Sequence, residues 1–228
     1  MILKEMLNQV LSQSAFIKKS AFVTSNDVDD QQMVAIANKA QLEIIDMYDW
    51  PQLLRSGEIK MIGSTRRYQM PSDYRSLVPD SMFKENSNER VEIQTPERRM
   101  YEYKFSATSP GPGIHARFIG NDIEFYGVNA DDIVRFEYVS KWGVQDDTGS
   151  VKHLFNSDTD AWLLEDNLLI LGIQAHWADT KMLPQTQLWR GNYMSKLNEA
   201  IGRNTGGRTI GGVRTRGRNR SPYTPLYR

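Results

Sequence analysis

The chain has 228 residues and a mass of 26.2 kDa, enough for one large domain or two small ones with a real core. Lys+Arg and Asp+Glu both total 28, so the formal net charge is zero. The absence of cysteine excludes a disulfide framework, a thiolate zinc site and a cysteine nucleophile, and no apolar run reaches the roughly 18 residues of a membrane span.

In chain order, Leu3, Met6, Leu7, Val10 and Leu11 place one apolar stripe on a helix within residues 1–17. That start also lacks the charged-apolar-small layout of a secretory signal, which points to folding in a cytoplasm. Ser25, Asn26 and Asp27 offer N-cap oxygens to a second helix. Met33, Ala37, Ala40, Ile44 and Met47 continue it from about 27 to 48, and Trp50-Pro51 ends it. The texture changes near residue 56. Glu58–Met61 and Arg66–Met70 read as strands, and Pro71-Ser72-Asp73-Tyr74 as a turn. Arg90–Gln94 alternates, and Pro96–Lys104 reads as a short helix. Ser109–Gly113 reads as a loop. Ala116–Ile119 and Asp122–Phe125 flank Gly120-Asn121, the signal of a two-residue hairpin. Ile133–Val139 alternates, with Val134, Phe136 and Tyr138 on one face.

After Asp158 the pattern turns helical again. Residues 161–178 are apolar nearly all round, with Trp162, Leu164, Leu168, Leu171 and Trp177 expected in the core or at a subunit interface. A last helix starts at Pro184, with Trp189, Tyr193, Leu197 and Ile201 on one face and Gly202 as its C-terminal cap. The expected fold class is therefore α+β. Residues 1–55 and 151–202 supply a helical bundle, residues 56–150 an inserted antiparallel β module, and residues 203–228 an extended tail.

The zero net charge conceals a partition. Every acid lies before Gly202, the last being Glu199, while residues 203–228 carry seven arginines and five glycines. The body is thus −7 (21 minus 28) and the tail +7. Such a segment cannot bury enough apolar surface to offset its ordering entropy, so it is expected to order only on a partner. Arg208, Arg214, Arg216, Arg218, Arg220, Tyr223, Leu226 and Tyr227 are its candidate contacts.

Little else points to chemistry. His115, His153 and His176 are far apart and lack the i, i+4 partner of a helical metal site. Asp158-Thr159-Asp160 lacks the glycine and closing glutamate of a calcium loop and reads as a helix start. No phosphate-binding glycine loop or nucleophile elbow occurs. Glu165 and Asp166, on the apolar helix, are the acids most open to a raised pKa, or else to a polar partner across a helix interface. No catalytic, cofactor or metal residues are assigned, and the chain is not expected to be an enzyme.

Five segments in fixed order carry a resemblance. They are Asp49-Trp50-Pro51-Gln52-Leu53, Tyr68-Gln69-Met70-Pro71-Ser72-Asp73-Tyr74, Phe136–Trp142, Phe155–Asp160 and Leu163–Gly172. Together, over about residues 1–203, they resemble the head-to-tail adaptor (connector) proteins of short-tailed bacteriophages. Gln174–Trp177 departs from the Arg-rich stretch such proteins often carry. The resemblance implies a structural virion protein at the head–tail junction, assembled in the host cytoplasm. It would form a dodecameric ring with portal above, tail nozzle or tube below, DNA passing through without sequence-specific binding, and no membrane. Its C-terminal segments would order against portal. The alternatives are a nucleic-acid-binding protein using the Arg/Gly tail, or a cell-wall hydrolase.

Overall fold

The computed structural model describes residues 1–87, 89–94 and 113–210, the last five of these through their backbone only. The expected helix at Pro96–Lys104 and the tail contacts Arg214, Arg216, Arg218, Arg220, Tyr223, Leu226 and Tyr227 lie outside the described residues. Among the described residues there are four α-helices: α1 (Leu3–Gln13), α2 (Val28–Met47), α3 (Asp166–Thr180) and α4 (Thr186–Ile210). Eleven strands lie between α2 and α3. They are β1 (Leu54–Lys60), β2 (Arg67–Gln69), β3 (Tyr74–Leu77), β4 (Phe83–Lys84), β5 (Glu89–Ile93), β6 (Ile114–Ile119), β7 (Asp122–Tyr126), β8 (Ile133–Ser140), β9 (Val144–Gln145), β10 (Val151–Lys152) and β11 (Ala161–Trp162).

Eight strands form one sheet in the order β1-β8-β4-β5-β6-β7-β2, with β3 also paired to β8. The two edge strands of that path, β1 and β2, are consecutive in the chain. Laid flat, seven strands would put these edges ~29 Å apart, yet the seven Cα steps from Lys60 to Arg67 span at most ~25 Å. The link also turns at Ile62–Thr65, where the Thr65 amide donates to the Ile62 carbonyl at 3.0 Å. The sheet must therefore curl toward closure. Its interior is a separate core containing Ile59, Met61, Met70, Val91, Ile123, Phe125, Val134 and Phe136.

This arrangement corrects the expected fold class. A large, nearly closed sheet organises the molecule, not a helical bundle carrying a small insertion. Nor is the sheet antiparallel throughout: β5 and β6 pair in parallel, Val91 opposite Ile114. A parallel pair needs a crossover of a dozen or more residues, and residues 94–113 supply that length. Alternation and a single hairpin signal antiparallel neighbours but say nothing about the partner across so long a connection.

A second correction falls on residues 161–178. Ala161 and Trp162 are strand, paired with Gln145 and Val144 in a three-stranded sheet with β10. The helix starts only at Asp166. Apolar composition alone does not distinguish a buried strand from a buried helix turn. The Asp158 and Asp160 side chains cap no helix, although their backbone carbonyls accept from the Lys4 and Leu3 amides at the start of α1 (3.2 and 2.7 Å). The Asp158 carboxylate accepts from the Phe22 and Val23 amides at 3.1–3.2 Å. The fully buried Asp160 accepts from the Asn156 and Ser157 amides and pairs with Lys152 at 2.7 Å. The third correction is at Gly202, which lies inside α4, eight residues before its last.

Elsewhere the local reading matches the structure. Asp27 caps α2, its side chain accepting from the Asp29 amide at 3.0 Å. Ile119 pairs with Asp122 across Gly120-Asn121, and Gly120 takes φ +63° at the first turn position, where a type II′ hairpin calls for glycine. Val134, Phe136 and Tyr138 share the buried face of β8. The four helices pack in a second core with Val139, Val144, Phe155 and Trp162.

Candidate functional site

A large cavity lies among the described residues, and the sheet's pairing explains it. β8 offers one edge to two strands end to end: β3 pairs with residues 138–140, β4 with 134–135. β5 then pairs with β4 only through Glu89 and Arg90, and with β6 through Val91–Ile93. Past Val91, whose amide donates to the Met82 carbonyl at 3.0 Å, β5 and β3 splay apart. Among the described residues neither facing edge carries a strand. The fork encloses a groove of about 870 Å³, within the range of ligand and peptide sites.

Its floor is apolar. Tyr74 and Phe118 stack with centroids 5.8 Å apart, beside Leu77, Met82 and Val91. Burial pushes the Tyr74 phenol above its ordinary pKa. The rim is charged. Asp80 ion-pairs with Arg90, and exposed Glu92 lies 3.2 Å from His115. Arg75, on the wall, is committed elsewhere. Its guanidinium donates to the carbonyls of Ile45, Asp46 (2.8 Å) and Tyr48 (3.1 Å), capping the C-terminus of α2. Below it, the Tyr138 hydroxyl donates to Asp73 at 2.9 Å. Burial, reinforced by that carboxylate, pushes the Tyr138 phenol up to about 12.

The second feature is the base of α4, from which the cationic tail departs. Glu165, the residue preceding α3, accepts from Lys196 at 2.9 Å and Arg203 at 2.6 Å. The Lys196 bond, with that of Arg203, holds the Glu165 carboxyl below its ordinary range despite partial burial. That is opposite to a general acid's requirement, and it matches the polar-partner reading. Asp166 pairs with the Met1 amino group at 3.1 Å.

The residues expected in the core or at a subunit interface lie in the chain's own core. Trp162, Leu164, Leu168 and Trp177 are buried and Leu171 partly so, covered by α1, α2 and α4. Arg208 lies in α4, backbone only. The histidines stay apart. His176 does meet Glu43 of α2 at 2.8 Å, with the Tyr193 ring 6.4 Å away and the Tyr193 phenol pushed up by burial beside Glu43. No group of three metal-ligating side chains occurs among the described residues, and no helix there is long and apolar enough to cross a membrane. Phe136 and Tyr138 are buried, so β8 offers no aromatic stacking platform.

Sequence reasoning missed the groove, because its walls come from strands paired to different neighbours. The one available signal was the run Tyr74–Leu77, an apolar-ended strand followed at once by Val78-Pro79. Proline cannot continue a strand ladder, and so marks an edge. The chain matches no protein-family model and no curated protein.

Proposed function

We propose that the chain is a head-to-tail adaptor of a short-tailed bacteriophage, a ring subunit between portal and tail. The observation that carries the reading is the charge partition combined with the placement of α4. Residues 1–210 hold 23 basic and 28 acidic side chains, a net −5, while residues 211–228 hold five arginines and no acid. In sequence that segment follows a 25-residue helix. Tyr193, Leu197 and Ala200 fix the helix to the core, and Arg203 ties it to Glu165. An acidic body followed in sequence by a cationic segment suits an assembly protein that reaches a neighbour. The five ordered sequence segments give the class of assembly. In this role the protein does no chemistry. It extends the DNA channel, binds portal through its C-terminal segment, and provides the attachment platform for the tail.

The nucleic-acid alternative explains the cationic segment through counterion release but gives the acidic body no role. The test is reconstitution with the portal protein encoded alongside it. The purified chain should be monomeric by native mass spectrometry and form a twelve-copy ring only with portal. Removal of residues 211–228 should abolish attachment. A stable dodecamer without portal, or unchanged attachment of the shortened chain, would refute assembly driven by that segment. Tight, sequence-selective duplex binding would favour the alternative.

A further inference from the structure

We infer that Lys152 and Asn156 join in a self-formed isopeptide cross-link, with Asp160 as the proton carrier. The cross-link stands apart from the adaptor reading, since it involves three side chains of one short stretch of chain.

The 228 residues contain no cysteine, so a covalent tie within them must use other groups. A lysine amine and an asparagine carboxamide can supply one. In water they do not react, because the amine is protonated and an amide is a poor electrophile. A fold can promote the reaction by holding the two in contact beside a buried acid.

β10 and the turn after it hold those three groups together. Lys152 Nζ donates to Asn156 Oδ1 at 2.5 Å and lies 2.7 Å from Asp160 Oδ1. The Asp160 side chain is fully buried, and that of Lys152 is only 22% exposed. Asp160 Oδ2 accepts from the backbone amides of Asn156 at 2.8 Å and Ser157 at 2.9 Å. One carboxylate thus places the nucleophile with one oxygen and the backbone of the electrophile with the other. The preceding residue is pinned as well. Asn38 of α2 donates to the Phe155 carbonyl at 3.1 Å and accepts from the Phe155 amide at 2.8 Å. The Phe155 ring is buried 6.3 Å from Trp162. With both ends fixed, little motion separates the hydrogen-bonded pair from attack, the setting in which effective molarities reach ~10⁵–10⁸ M. Lys181 also meets an acid and an amide, Asp29 and Gln32, but there the carboxylate is exposed.

The step balances without an added reagent. Lys152 passes a proton to Asp160, which replaces two desolvated charges by a neutral amine and a neutral acid. Nζ attacks Asn156 Cγ and forms the new C–N bond. Asp160 protonates Nδ2 and takes a second proton from Nζ, and the Cγ–Nδ2 bond breaks to release ammonia. The ammonia collects the proton held on Asp160 and departs as ammonium, leaving the carboxylate as it began. The bond ties β10 to the turn whose Asp158 and Asp160 carbonyls accept the first amides of α1, so it fastens the seat of that helix.

The test is the intact mass of the purified full chain, followed by tryptic mapping. The chain should be ~17 Da lighter than its sequence, one ammonia. Trypsin should fail to cut after Lys152, and the loss should lie in a single peptide, Trp142–Lys181. Lys152→Arg and Asn156→Ala should each restore the full mass. Asp160→Asn should slow the loss by ~100-fold or more, and an unchanged rate would remove Asp160 from the step. The wild-type mass decides the cross-link whether or not Asp160→Asn folds. An unmodified wild-type mass would overturn the assignment. So would a succinimide at Asn156, which has the same mass but leaves Lys152 open to trypsin. A loss of ~18 Da with Lys152 joined to Asp160 would overturn it too.

Discussion

Arg75 joins the two cores, and its removal is the most informative perturbation. It extends from β3 in the sheet to the carbonyls that end α2 in the helical layer. The last turn of α2 has no basic residue of its own, so Arg75 is the cation that answers the helix dipole there. A bond to a charged group is worth ~1.5–3 kcal/mol. The bonds to Ile45 and Tyr48 are half-buried and the one to Asp46 exposed. Discounting for solvent leaves about 1–1.5 kcal/mol for each of the first two and little for the third. Arg75→Met should therefore cost about 2–3 kcal/mol. For a chain of this size that lowers Tm by about 5–10 °C. Arg75→Lys should recover less than half, because an ammonium cannot match three carbonyls as a planar fork does. Urea unfolding followed by fluorescence and circular dichroism gives the measurement, read as a shift in midpoint at constant slope. A loss below 0.5 kcal/mol, or full recovery by lysine, would refute the capping argument.

Other positions carry distinct expectations. Gly57 lies under the Phe136 ring, where an added Cβ would sit 2.5 Å from Cζ; Gly57→Ala should cost ~1–3 kcal/mol by overpacking, and unchanged thermal stability would show that the ring yields freely. Asp158→Ala removes the acceptor of the Phe22 and Val23 amides and should cost about 1–2 kcal/mol, with faster hydrogen exchange at both amides as the readout. At Asp132, burial raises the carboxyl pKa, but the Lys84 ammonium and the Asn129 amide more than offset it, so the net shift is downward. A carboxyl lowered on folding stabilises above its unfolded pKa and loses that contribution as pH falls through the folded value. Asp132→Asn should thus flatten the stability profile below about pH 4; an identical acid limb in the variant would dismiss the pair.

Helix α2 and the Gly120-Asn121 hairpin were legible because local chemistry decides them. A cap with a 3.6-residue stripe admits one reading, as does a left-handed glycine between alternating strands. β8 was legible for the same reason, since Val134, Phe136 and Tyr138 must face one side. The failures share a different cause. Ala161-Trp162 is strand only because Gln145 and Val144 lie beside it, partners 16 and 18 residues away. Gly202 continues a helix because the chain beyond it stays helical, which no single residue announces. The β5–β6 crossover, the fork and the His176–Glu43 pair are all products of topology. So is Arg75: nothing in Tyr74-Arg75-Ser76 says that its guanidinium ends a helix 30 residues earlier.

The same distinction alters the argument for assembly. An all-round apolar helix, read alone, calls for a partner surface. In the structure α3 finds that surface within its own chain. Leu168, Leu169, Ile173 and Trp177 are covered by the other three helices, and Gly172 lets the Tyr193 ring come within 3.2 Å of where a Cβ would stand. The large apolar side chains left exposed at the end of α3 are few. Phe16 leans edge-on against Trp177 and Lys181 lies over the same indole, with Ile17 and Met182 outside them. In the proposed ring, α3 would therefore add little apolar area to a subunit interface. On the proposed reading, opposite charges, including those of residues 211–228, would supply most of the closure. Interactions between exposed charges are screened beyond about 10 Å at 0.1 M salt and about 3 Å at 1 M, whereas burial of apolar surface is not weakened by added salt. Rings formed with portal should therefore release subunits between about 0.1 and 1 M sodium chloride, seen as a fall in the sedimenting fraction. Rings that persist or tighten across that range would mean that an apolar interface, not the charge partition, holds them.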